Sequence, residues 1–192
     1  DAIRAGTEAS TQALVRALDT DDSVAKLEAL EELARRKHVA ALDRVLAIDP
    51  ADAPFAGPTA LLTMGALARD AGEAAEGHAV ARLSALLAAE KERQGTDSPG
   101  NILVAFEALG SIASDAAARV LERELFDPFH GTAARVAVVQ ALEECGLPRS
   151  VEPLVRLRAS LHGEADDAFE RELQHDLVAA IDRAVVKLRD GG

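Results

Sequence analysis

One stretch of this chain, from Asn101 to Leu161, states the same pattern twice, and that repetition restricts the fold more than any other feature. The segments NILVAFEALGSIASDAAARVLEREL and ARVAVVQALEECGLPRSVEPLVRL superimpose without a gap. Ala108-Leu109 falls on Ala141-Leu142, Ile112 on Cys145, Val120 on Pro153 and Leu121 on Leu154, each at an offset of 33. Each copy holds an apolar stripe at helical spacing, a break of small residues, and a second stripe. A helix pair of this size cannot bury its apolar face alone and must stack on its neighbours.

The rest of the chain divides into units of the same kind. Residues 1–20 read as an N-terminal capping helix with Leu14, Val15 and Leu18 as its stripe. A hairpin over 21–49 follows. Asp21, Asp22 and Ser23 are N-cap residue types, and the helix from Ser23 to Arg36 sets Leu27, Leu30, Leu33 and Ala34 on one face. Its partner is expected from His38 to Ile48, ending before Asp49-Pro50. Ala29-Leu30 meets Ala108-Leu109 at an offset of 79, close to two repeats of about 40 residues.

The segment from Pro50 to Pro58 forbids a regular helix, and a second hairpin over 58–93 starts after it. That hairpin comprises helices Pro58 to Asp70 and Glu73 to Arg93, and its charged EKERQ end is expected to project beyond the stack. The turn-rich Gly95 to Gly100 leads into hairpins over 99–126 and 131–161. In these, Asp115 is expected to cap one helix and Pro148 to start another. A C-terminal capping helix over 164–189 spaces Leu173, Leu177, Ile181, Val185 and Leu188 by four or three and turns a charged face to water. Asp190-Gly191-Gly192 is expected to fray.

An all-α class follows from composition as well. The chain is 48% hydrophobic, mostly Ala and Leu, with 3% aromatic residues and neither Trp nor Tyr. The net charge of -12 opposes binding to a phosphate backbone, so no nucleic-acid partner is expected. The single cysteine, Cys145, falls at a core position and reads as a small buried hydrophobe. No run approaches the ~18 apolar residues of a membrane span, and no signal-peptide pattern is present, so no membrane insertion is expected. A start at Asp1 fits a processed protein or an excised piece. The sequence leaves the compartment open; a cytoplasmic setting is favoured over a processed extracytoplasmic form.

The phrases FEALGSIASDAAARVLERELFD and RVAVVQALEECGLPRSVEPLVRL resemble HEAT repeats, in particular the bacterial phycobilisome-lyase-like class. Ala108-Leu109-Gly110, and Ala141-Leu142 with Gly146, carry the likeness. The family's Val-Arg dipeptide in the first helix of each hairpin is represented at best by Ala134-Arg135, and the first and third hairpins lack it. The Trp and Tyr anchors of tetratricopeptide repeats and the Thr-Pro-Leu-His phrase of ankyrin repeats are absent. The resemblance implies an α-solenoid, a superhelix of stacked antiparallel hairpins in the HEAT/armadillo manner, as one domain over 1–192. It implies that second helices line a concave surface holding another macromolecule. The expected function is thus a non-enzymatic scaffold or adaptor binding a protein partner, and a bilin-lyase-like enzyme or chaperone is the alternative.

Within that frame, Arg44, Arg123 and Arg156 occupy one repeat position, each two residues after a core leucine, with Arg82 one turn before the equivalent site in the second hairpin. Such a row suits carboxylates or phosphates on a partner. The bland alternative is that each arginine pairs with a local acid as surface chemistry of little energetic value. Phe129, in the Phe126 to Gly131 loop, is a candidate aromatic anchor. Glu172 and His175 have metal-ligand spacing without a second copy, and His162, Glu164, Asp166, Asp167 and His175 form a polar cluster that a solvated helix start explains equally well. No metal, cofactor or catalytic residue is expected.

Overall fold

The computed structural model describes residues 2–93, 100–161 and 168–190. The expected turn over Gly95 to Gly100 and the acidic cluster from His162 to Asp167 therefore fall largely or wholly outside the described residues, as do Gly191 and Gly192. Among the described residues every regular element is helical: α1 (Ala2–Ala17), α2 (Ser23–Arg35), α3 (Leu42–Leu46), α4 (Gly57–Ala68), α5 (Glu73–Glu92), α6 (Gly100–Ile112), α7 (Asp115–Leu125), α8 (Thr132–Cys145), α9 (Val151–Ser160) and α10 (Ala168–Asp190).

Local chemistry accounts for the boundaries. Asp22 caps α2, its carboxylate accepting from the backbone N–H groups of Val24 and Ala25 at 3.0 and 3.2 Å. At α7 the cap is Ser114, whose hydroxyl oxygen accepts from Ala117 N–H at 3.2 Å, and the expected cap Asp115 is instead the first helical residue. The helix expected from His38 to Ile48 is a 3-10 turn, Val39–Ala41, followed by the five residues of α3. These two short elements still bury Ala41, Leu42 and Val45 in the core. A similar turn, Pro148–Ser150, precedes α9.

The helices pack in two sets. The first helices α2, α4, α6, α8 and α10 each lie against the next, and each second helix (α3, α5, α7, α9) also lies against the first helix of the following pair. One continuous seam of buried side chains runs from Leu18 to Leu188. Contact between first helices is intimate, whereas α5 and α7 touch much less and α7 and α9 less still.

Small residues produce the difference. A Cβ placed on Gly65 would stand 2.4 Å from the Ala108 carbonyl oxygen, and one on Gly110 would stand 2.7 Å from that of Ala141. Glycine on one helix thus rests on the alanine that opens the Ala-Leu phrase of the next, and the motif is a close-contact surface. The repeat also fixes backbone conformation. Gly146 ends α8 in the left-handed region at φ 73°, and Ala113, 33 residues earlier, is held at φ 58° in the same role.

Two predictions follow from this packing. Gly65→Ala and Gly110→Ala are expected to destabilise by about 1–3 kcal/mol through overpacking. Gly77→Ala, in α5 with nothing within 4 Å of the new methyl, is expected to stabilise by about 0.5–1 kcal/mol. Urea denaturation of the three variants would show the opposite signs, and a gain at Gly110 equal to that at Gly77 would refute the close contact. Ala113→Gly relieves a left-handed alanine, and its urea midpoint is expected to rise by the equivalent of about 0.5–1 kcal/mol.

Candidate functional site

Helix α7 turns Ala117, Ala118, Val120, Leu121 and Leu125 into the core, which leaves Arg119, Glu122 and Arg123 on its other face and Phe126 just beyond its end. Helix α9 buries Leu154 and Leu157 and presents Arg156 outward, with Pro153 half-buried beside it. Because the second helices stand apart here, these side chains border an open groove of about 780 Å³, completed by Asp127 and Pro128. The Arg156 guanidinium lies 4.6 Å from the centroid of the Phe126 ring, in cation–π range.

The acids at the rim are already engaged. Glu122 accepts from Arg149 at 3.0 Å and from the Ser150 hydroxyl at 2.9 Å. Asp127 accepts from Lys91 at 2.7 Å and from Phe129 N–H at 2.9 Å. Arg119 reaches Asp115 at 3.4 Å. Arg123 has no ionic partner among the described residues.

The row of arginines expected from the repeat register is divided. Arg123 and Arg156 share the groove, while the other two are held locally. Arg44 pairs with Asp19 in the turn between α1 and α2. Arg82 donates from Nε to the Leu46 carbonyl at 3.1 Å and from its terminal nitrogen to that of Ile48 at 3.4 Å, with Asp49 3.8 Å away. A cation there completes the C-terminal end of α3, where carbonyls lack helical partners. Phe129 lies in a different cleft, with Leu103, Thr132 and Leu173, its ring edge-on to His130. Phe126 is the aromatic residue that meets an arginine of the groove, and Phe129 faces the other cleft.

A second cluster lies between α5 and the α7–α8 loop. Lys91 Nζ donates to Glu124 at 2.5 Å and Asp127 at 2.7 Å, while His130 Nε2–H donates to Glu124 at 2.7 Å. His130 is only 3% exposed and packs edge-on against Phe106 and Phe129. The EKERQ end of α5, expected to project, is instead tied down through Lys91, whose side chain is 19% exposed. Glu124, Asp127 and His130 place possible metal-ligand atoms within 4.8 Å of one another. The lysine ammonium sits among them as an internal cation, which a metal ion would have to displace.

The electrostatics follow from these contacts. Burial pulls the Lys91 pKa down, but hydrogen bonds to Asp127 and Glu124 outweigh it and the net shift is upward. Burial raises the Glu124 carboxyl, yet its bonds to His130 and Lys91 carry it below the usual range. The Lys91 hydrogen bond is the main cause of the lowered Asp127 value. Elsewhere, burial pushes the Cys145 thiol up to about 11, so it remains protonated and non-nucleophilic at neutral pH. Glu172 and His175 are exposed on α10 and belong to no potential metal-binding group among the described residues.

No protein-family model matches this chain, and no curated protein is significantly similar to it. Among the described residues no helix is long and apolar enough to cross a membrane.

Lys91→Met gives a pH-dependent prediction. The depressed carboxyls of Glu124 and Asp127 contribute stability that is complete above their unfolded values and is lost as pH falls through the folded ones. Raised Lys91 contributes below its unfolded value and loses that contribution as pH rises through the folded one. The variant is expected to cost about 1–3 kcal/mol at neutral pH. It should also lose less further stability on acidification than the parent. Urea unfolding across a pH series measures both effects, and an acid limb of unchanged steepness would contradict the assignment.

Proposed function

We propose that this chain is a HEAT-like α-solenoid that serves as a non-enzymatic scaffold, binding a protein partner through its second-helix side. The observation that carries the reading is the unequal spacing of the two helix sets. First helices meet backbone to backbone at Gly65 and Gly110, while second helices stand apart and leave the groove between α7 and α9 open. Such a surface is broad and shallow, suited to a macromolecule more than to an enclosed small substrate. The only potential metal-binding convergence among the described residues, Glu124 with Asp127 and His130, is neutralised from within by Lys91. The register that repeats Ala108-Leu109 at Ala141-Leu142 and the left-handed Ala113 at Gly146 supports a solenoid.

This reading departs from the resemblance in one respect. A stack whose first helices are the closer set bends toward them, so the arginine groove lies on the convex side. Arg44, Arg82 and Phe129 are then peripheral to docking, and Arg123 and Arg156 are central to it.

Site-specific photo-crosslinking tests the proposal. Benzoylphenylalanine in place of Phe126 or Val155, on the second-helix side, is expected to capture one and the same protein, identified by mass spectrometry. Replacement of Leu62 or Leu103, exposed on first helices, is expected to capture none. Adducts confined to the Leu62 and Leu103 positions, or no protein common to the Phe126 and Val155 positions, would refute it.

A further inference from the structure

We infer that the α7–α9 groove binds an acidic peptide segment, whose Asp or Glu carboxylates pair with Arg123 and Arg156 and whose apolar side chains rest on Phe126, Pro128 and Pro153. The inference rests on the scaffold reading and names the chemistry of the partner. Its basis is charge complementarity. The acids at the rim, Glu122 and Asp127, already hold Arg149 with Ser150 and Lys91 respectively. Arg119 is paired with Asp115. Among the described residues no carboxylate pairs with Arg123 or Arg156, on a chain whose net charge is -12. A carboxylate is the group that a guanidinium's planar set of donors recognises in bidentate fashion.

The groove is organised for that role before anything enters it. Stacking at 4.6 Å holds the Arg156 guanidinium against the Phe126 ring and leaves its N–H edges available. An arginine restrained in this way loses less conformational entropy on pairing than one free in water. Phe126 is itself 38% exposed, so the ring offers apolar area to an occupant beyond what Arg156 covers. A single inorganic anion would use only a fraction of about 780 Å³ and none of the proline and phenylalanine walls. A peptide carrying carboxylates beside aliphatic side chains uses both. A nucleic acid would bring a continuous line of phosphates against the negative charge of the whole chain, while a short acidic segment brings only the few charges that the arginines neutralise.

The test is fluorescence anisotropy of the full chain with labelled ten-residue peptides in which Glu and Asp alternate with Leu and Pro. A control series replaces each acid by Lys, and single-stranded DNA serves as a third probe. Saturable binding of the acidic peptide alone is expected, weakening as salt rises. Arg123→Glu and Arg156→Glu should each reduce affinity about tenfold. The charge-removing Arg123→Gln and Arg156→Gln should reduce it in the same direction, and Arg69→Glu, at the C-cap of α4, should leave it unchanged. Circular dichroism and urea midpoints confirm that each variant is folded. Equal binding of acidic and basic peptides, tighter binding of DNA, or indifference to both arginine positions would overturn the inference. Self-association of the chain that disappears in Arg123→Glu would do the same by assigning the groove to a second copy. If the acidic peptide fails while the Phe126 cross-link still captures its protein, the peptide chemistry is wrong and the scaffold stands. Loss of both removes the scaffold reading as well.

Discussion

The contact on which this structure depends is the seating of a glycine on the backbone of an alanine in the next first helix. Gly65 lies on Ala108 and Gly110 on Ala141, in each case with no room for a methyl group. Close approach of this kind brings whole helix lengths into van der Waals contact, and dispersion summed over many atoms compensates for the small side chains involved. It also aligns successive pairs, since the buried leucines on either side, Leu109 and Leu142 among them, meet their neighbours only at that separation. Thr63 adds a directional tie, its buried hydroxyl donating to the Leu30 carbonyl across the α2–α4 boundary at 3.4 Å.

Tight packing on one side sets the geometry of the other. Second helices stand farther apart, and polar side chains link them. Lys91 joins α5 to α7 and its following loop through Glu124 and Asp127, and Arg149 joins the start of α9 to α7 through Glu122. Arg82 ties α5 to the end of α3 in the same way. Between α7 and α9 the links sit at the start of α9, where Arg149 and Ser150 meet Glu122, and beyond them the groove remains open. The glycine contacts draw one helix set together, and the groove opens in the other.

Much of this was legible in the sequence. The offset of 33 carried through to structure, with Ile112 and Cys145 both buried and Leu121 and Leu154 both inaccessible. The helical class and most element positions were readable from stripes and caps, because those signals are local. Less readable was anything depending on two distant segments. The α3 region carries a stripe as good as its neighbours, yet folds largely as a 3-10 turn and a five-residue helix. Lys91 looked like part of a charged end that projects because its partners Glu124 and Asp127 lie 33 and 36 positions away, about one repeat on. That spacing was the available signal, since residues one repeat apart are neighbours in a stack. The choice of Phe126 over Phe129 as the ring beneath Arg156 depends on how the loop closes around His130, which no periodicity encodes.

The arginines of the groove belong to the smaller set of cations, with Lys26, Arg69 and Arg135 among them, that pair with no carboxylate among the described residues. Acids outnumber Lys and Arg by 33 to 21, so a basic side chain on this surface usually finds a carboxylate nearby. Arg35 and Arg36 share Glu32, Lys37 takes Asp70, Arg158 takes Asp182, and Arg183 and Lys187 share Glu143. Pairs of this exposure contribute little to stability individually, but they show what the default is. At Arg123 the default fails although Glu122 is adjacent in sequence, because Glu122 is turned toward Arg149 and Ser150. Arg156 is placed on an aromatic face instead of an acid. The turn Pro148–Ser150 positions both groups that occupy Glu122, so the same local structure that begins α9 also leaves the two arginines uncompensated beside it.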